Sequence, residues 1–168
     1  MRPAADALNR IQEEPLESVV GRLLRRRGKT LATAESCTGG YLGKLLTDVP
    51  GSSDFYRGGI ISYSNALKMR HLKVSPEVLD RWGAVSEPVA CQMAREVRNW
   101  SGADLGVSVT GIAGPSGGSP EKPVGLVYLG LSDSVETRAR KLLLEGDREG
   151  IRTNACRIAL DWIRRHLT

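Results

Sequence analysis

The stretch TLATAESCTGGYLGKLLTDVPG, residues 30–51, decides the fold. Its first six residues, TLATAE (30–35), read as a buried strand, and the segment from about 38 to 48 has a helical pattern that Pro50-Gly51 stops. The junction holds Ser36, Cys37 and Thr38 followed by Gly39-Gly40. A strand running through a glycine-rich turn into a helix is the repeating unit of α/β proteins.

The pattern extends in both directions. Upstream, residues 4–13 predict a short helix and Pro15 opens another, with Leu16, Val19, Val20, Leu23 and Leu24 on one face and Gly28 closing it. Downstream, a strand is expected around 59–64, short helices at 65–73 and 76–82, and a longer helix from Ser86-Glu87-Pro88 to about Trp100. Strands follow at 104–111 and 124–131. After the Ser132-Asp133 turn comes an alternating segment, and a last helix runs from about Asp147 to Leu167. The last three strands are joined by short or irregular links, which predicts antiparallel pairing among them. The expected fold class is α/β, a mixed sheet with helices on both faces.

A length of 168 residues predicts a single domain spanning 1–168, with 1–15 as an N-terminal extension. No apolar run reaches a membrane span, and the first residues lack the apolar centre of a signal peptide, so a soluble cytoplasmic protein is expected. Cys37, Cys91 and Cys156 are far apart and form no CxxC pair, which argues against a disulfide framework or a zinc ribbon. His71 and His166 are the only histidines, so a histidine-rich metal site is excluded, and no metal or cofactor is expected. The net charge of +5 is concentrated at Arg25-Arg26-Arg27 and Arg164-Arg165-His166, each in the last turn of a predicted helix. Aromatics interleaved with basic residues are missing, so nucleic-acid binding is not predicted.

Three stretches carry chemistry. At 33–40, Ser36 or Thr38 could cap the helix, but Gly39 and Tyr41 stand where a capping box wants Glu or Gln. Ser36 could instead be a nucleophile with helix-start amides as its oxyanion site, and Gly39 and Gly40 would let a ligand approach those amides. Cys37 is a competing nucleophile, its pKa lowered by the helix end, with His71 as its candidate base. In YSNALKMRH (63–71), Tyr63 ends a strand and Lys68 lies one helical turn on. Lys68 is either a solvated helix lysine or a buried base, and Tyr63 either a sheet tyrosine or its relay. TGIAGPSGGSPEKPVG (110–125) is neither a Walker A motif nor GxGxxG, yet a long irregular loop after a strand suits an amide nest for an anion.

AESCTGG, GGIISYSNALK, GAVSEP, TGIAGPSGG with EKPVG, and GDREGIR occur in this order, and together they resemble the C-terminal domain of the CinA family, the nicotinamide-nucleotide amidases. The likeness covers roughly 16–166. It implies a three-layer α/β/α sandwich with a mixed β-sheet. It also implies metal-free hydrolysis of the carboxamide of nicotinamide mononucleotide to nicotinate mononucleotide and ammonia, in pyridine-nucleotide recycling. By that resemblance Ser36 is the nucleophile and Tyr63 and Lys68 its general-base partners. Substrate would be held by Thr38, Gly39, Gly40, Thr110, Gly111, Ala113, Gly114 and Gly117, with Arg148 as a candidate for the phosphate. The resemblance further implies a homodimer or larger homo-oligomer. Full-length family members carry another domain before this one, so the expectation here is the stand-alone form. The alternative reading is a catalytically inactive nucleotide-binding or regulatory module of the same fold.

Overall fold

A computed structural model describes residues 14–168; the helix predicted over 4–13 lies outside them. The elements are α1 (Leu16–Arg26), β1 (Leu31–Glu35), α2 (Tyr41–Thr47), a single 3-10 turn (Ser52–Asp54), β2 (Tyr56–Ile61), α3 (Asn65–Leu72), α4 (Pro76–Trp82), α5 (Glu87–Ser101), β3 (Leu105–Gly111), β4 (Leu126–Ser132), β5 (Thr137–Leu143) and α6 (Arg148–His166). The five strands form one sheet in the order β2-β1-β3-β4-β5. β1 runs parallel to β2 and β3, while β3–β4 and β4–β5 are antiparallel, as expected from the short and irregular links.

Both faces of the sheet are covered. On one side, Leu31, Val107, Val109, Val127, Leu129 and Leu131 pack with residues of α1, α2 and α6. On the other, Ala32 and Ala34 pack with Leu72, Leu79, Val89, Met93 and Val97 of α3, α4 and α5. All five residues of β1 are buried, which is why it reads as an unbroken small and apolar run rather than an alternating one.

Two elements are displaced by three residues from the sequence reading, the start of α2 and the whole of β2. The helix expected from about 38 begins at Tyr41, because Gly39 (φ 61°) and Gly40 (φ 96°) adopt left-handed backbone that no helix continues. The strand expected over 59–64 spans Tyr56–Ile61, so Tyr63 lies beyond its end. Its ladder starts early because Tyr56 already pairs with Leu31. From the carboxyl end of the parallel strands the chain leaves in opposite directions, β1 through α2 to one face and β2 through α3, α4 and α5 to the other. Clefts in α/β sheets form outside such a point. No helix among the described residues is long and apolar enough to cross a membrane.

α5 sits close on the sheet because the strands below it carry almost no side chain. A Cβ on Gly106 would lie 2.0 Å from Ala94 O, and one on Gly130 2.3 Å from Ala90 O. Between them Ser108 Oγ donates to Ala90 O at 2.6 Å. Gly106→Ala should therefore overpack this contact and cost about 1–3 kcal/mol, lowering Tm by about 2–4 °C per kcal/mol. Calorimetry of the purified variant checks this, and an unchanged Tm would mean that helix and strand are not in contact there.

Candidate active site

Ser36 is the first residue past β1, and the backbone around it is tied to both neighbouring strands. Its amide donates to Val109 O of β3 at 2.9 Å, and the Glu35 carbonyl accepts from Ser62 N, just past β2, at 2.8 Å. The serine is thereby fixed at the floor of a cleft of about 270 Å³.

Lys68 reaches it from α3. That helix starts at Ser64, whose hydroxyl caps it by accepting from Leu67 N at 3.2 Å. One turn on, Lys68 points inward and is 1% exposed. Its Nζ lies 2.9 Å from Ser36 Oγ and 2.7 Å from Ser62 O. Burial pushes its pKa down to about 8, against a smaller opposing influence of Cys37. A solvated helix lysine is excluded; this is a buried amine, partly neutral just above physiological pH, in contact with a serine hydroxyl.

The amides at the start of α2 are already taken. The Glu35 side chain is buried, and its carboxylate accepts from Gly40 N at 3.0 Å, Leu42 N at 3.1 Å and Gly43 N at 2.8 Å. Gly39 N donates to Ser36 O and Tyr41 N to Thr38 O. The expected role of Gly39 and Gly40 in holding substrate through these amides is therefore corrected, since the turn binds itself and Glu35; neither they nor Thr38 lines the cleft, and the Thr38 hydroxyl is buried without a hydrogen-bond partner among the described residues. Gly39 and Gly40 serve the left-handed turn, and a Cβ on Gly40 would press on Ile61 Cδ1 at 3.0 Å. Thr38 is fully buried, its carbonyl held by Arg152 Nη2 at 2.9 Å.

The expectation for Cys37 is likewise reversed. Burial pushes its thiol up to about 11, with Glu35 adding to the rise and Lys68 and Arg152 opposing it. It is a thiol at neutral pH, and His71, its candidate base, is exposed and does not line the cleft.

The opposite wall is the glycine-rich segment. Thr110, Gly111, Ala113, Gly114 and Gly117 all line the cleft, as expected. Thr110 Oγ1 donates to Ala84 O at 2.9 Å, so the GAVSEP turn is drawn into the same wall. The amides of Ala113, Gly114 and Gly117 have no acceptor among the described residues. Arg148 stands at the mouth, donating through Nη1 to Gly114 O at 2.6 Å and through Nη2 to Tyr63 Oη at 3.0 Å. Tyr63 lines the cleft and is 59% exposed. Its hydroxyl bonds Arg148 and is not hydrogen-bonded to Ser36 or Lys68, so the serine and lysine meet directly rather than through a tyrosine relay.

Sequence reasoning assigned no role to Glu35, Arg152 or the Ser62 carbonyl. Glu35 had a signal, a carboxylate one residue before a turn into a helix. The others had none, since Arg152 approaches from 115 residues away to donate to Cys37 O at 3.1 Å, and a carbonyl has no sequence mark. No group of three potential metal ligands occurs among the described residues.

The family model described as the CinA C-terminal domain matches residues 13–167. A CinA-like protein of Kosmotoga olearia is 51% identical over 157 residues, covering 94% of this chain and 38% of the relative. One from Synechocystis is 54% identical over 159 residues, covering 92% and 38%. The chain thus spans well under half the length of these relatives. Among solved structures, a CinA superfamily protein from Klebsiella pneumoniae superposes with TM-score 0.88 at 33% identity, covering 90% of this chain and 95% of that one. The competence/damage inducible protein CihA from Agrobacterium tumefaciens gives 0.85 at 38% identity, covering 90% and 94%.

Burial of Lys68 has a consequence for stability. An amine lowered from 10.5 to about 8 binds fewer protons folded than unfolded between those values. Stability from this group therefore rises with pH across that window, by about 3 kcal/mol in all, and the full penalty is present below it. The difference between denaturation curves of the wild type and Lys68→Met, followed from pH 7 to 11, should show this rise. A flat difference would mean that the amine keeps its ordinary pKa.

Proposed function

The chain belongs to the CinA C-terminal domain family, and from that premise we propose that it is a metal-independent amidohydrolase that uses a Ser36–Lys68 pair to hydrolyse the carboxamide of nicotinamide mononucleotide. The observation that carries the reading is the 2.9 Å contact between a buried lysine amine and a serine hydroxyl at a cleft floor. A buried lysine lowered toward neutrality, next to a hydroxyl and with no carboxylate bonded to it among the described residues, is suited to proton transfer rather than to ion pairing.

Neutral Lys68 takes the Ser36 proton as Oγ bonds to the amide carbon, giving a tetrahedral oxyanion. The unbonded amides of Ala113 and Gly114, which line the cleft, are the donors available to that oxyanion. The Lys68 ammonium, held by Ser62 O at 2.7 Å, then gives the proton to the departing nitrogen, and ammonia leaves. Water, deprotonated by Lys68, attacks the Ser36 ester, and the carboxylate product departs as the proton returns to Oγ. Arg148 puts positive charge at the mouth, where a substrate phosphate would lie, and its bond to Tyr63 joins the two cleft walls.

Ser36→Ala should abolish ammonia release from nicotinamide mononucleotide by several orders of magnitude while leaving the fold intact. Cys37→Ala should keep most of the activity; the reverse pattern would assign the nucleophile to the cysteine.

Lys68→Arg should collapse kcat, because guanidinium accepts no proton near neutral pH. The wild-type rate should rise with pH through a midpoint of about 8, the value burial gives Lys68. Wild-type kcat in Lys68→Arg, or a rate falling across that midpoint, would remove the lysine from proton transfer. Chelation with EDTA should leave the rate unchanged.

A further inference from the structure

We propose that Glu35 is a positioning residue of the serine site: its carboxylate occupies the first amides of α2 and fixes the Ser36 turn against Lys68, and its charge stands beside the adjacent Cys37. The inference rests on the serine amidase reading and adds a residue to which that reading gives no role.

Glu35 joins three parts of the site at once. Its carboxylate accepts from Gly40, Leu42 and Gly43. Its carbonyl accepts from Ser62 N at 2.8 Å, and the Ser62 carbonyl in turn holds Lys68 Nζ at 2.7 Å. Its own peptide leads into Ser36. The nucleophile, the anchor of its base and the start of α2 are thus set by one buried residue.

The carboxylate is chemically required. An ionised carboxylate is acceptor-only and takes three N–H donors without conflict, whereas a glutamine would turn an N–H₂ toward at least one of them. The negative charge also bears on the neighbouring side chains. Burial is the larger cause that keeps Cys37 protonated, and the Glu35 charge adds to it.

The test is alkylation of Cys37 by iodoacetamide across pH, read by mass spectrometry in a Cys91→Ser background, beside steady-state kinetics. In the otherwise unaltered chain, Cys37 should react with a midpoint well above pH 9. In Glu35→Gln the midpoint should fall, with alkylation at pH 8 faster by about fivefold or more. In the same variant kcat should drop at least about tenfold, with KM within about twofold, as for a displaced nucleophile rather than a lost binding contact. A Cys37 midpoint below pH 8 with Glu35 in place would overturn the inference, and this arm stands even if Glu35→Gln does not fold. A folded Glu35→Gln with unchanged kcat and an unchanged Cys37 profile would also overturn it. A chain that releases no ammonia at all would count against the amidase reading, and the thiol measurement would still decide the role of Glu35.

Discussion

Two backbone hydrogen bonds at the end of β1 hold the site together. Ser36 N to Val109 O and Ser62 N to Glu35 O tie the last turn of the central parallel strand to the ends of both its neighbours. With those ends in register, the loop after β2 presents the Ser62 carbonyl where the Lys68 amine can use it, and the end of β3 sets Thr110 and the glycine-rich wall opposite. Burying the Lys68 amine is unfavourable in itself, and the fold accepts that cost because the amine is hydrogen-bonded to Ser36 and Ser62 within a fixed frame. Closely packed small residues make the frame stiff. α5 rests directly on Gly106, Ser108 and Gly130, and the helices on the other face close over Val107, Val109 and Leu129.

The electrostatics of the cleft divide its neighbouring groups sharply. The same burial lowers a lysine and raises a cysteine, because in each case it penalises the charged form. One group becomes an amine with a pKa of about 8, and the other a thiol pushed up to about 11. A buried carboxylate beside them escapes conflict with both by spending its acceptors on backbone amides. The lysine at the cleft floor thus has no carboxylate bonded to it among the described residues.

Arginines do the tethering. Arg152 clamps the carbonyls of Cys37 and Thr38 from α6, and Arg148, one turn earlier, holds Gly114 and Tyr63. α6 thus supports the floor and the mouth of the cleft from one face. This explains why the opening of the last helix belongs with the loop motifs although it is far from them in the chain.

The sequence by itself determined the element order, the mixed sheet and the approximate location of the site, because burial on both faces, helical spacing and glycine-rich turns leave local marks. It also brought Ser36 and Lys68 forward as candidates through the residue types at two strand ends. What those residues do to each other was decided only by the tertiary structure. Nothing local distinguishes a solvated helix lysine from a buried amine, since that depends on which face of α3 meets the sheet. Nothing local shows that the amides at the start of α2 are consumed by Glu35 or that Tyr63 bonds Arg148, because each bond pairs groups whose meeting is set by strand register and helix placement. Composition and period are properties of a segment, whereas a pKa, a bond to a serine and the burial of a thiol are properties of segments brought together.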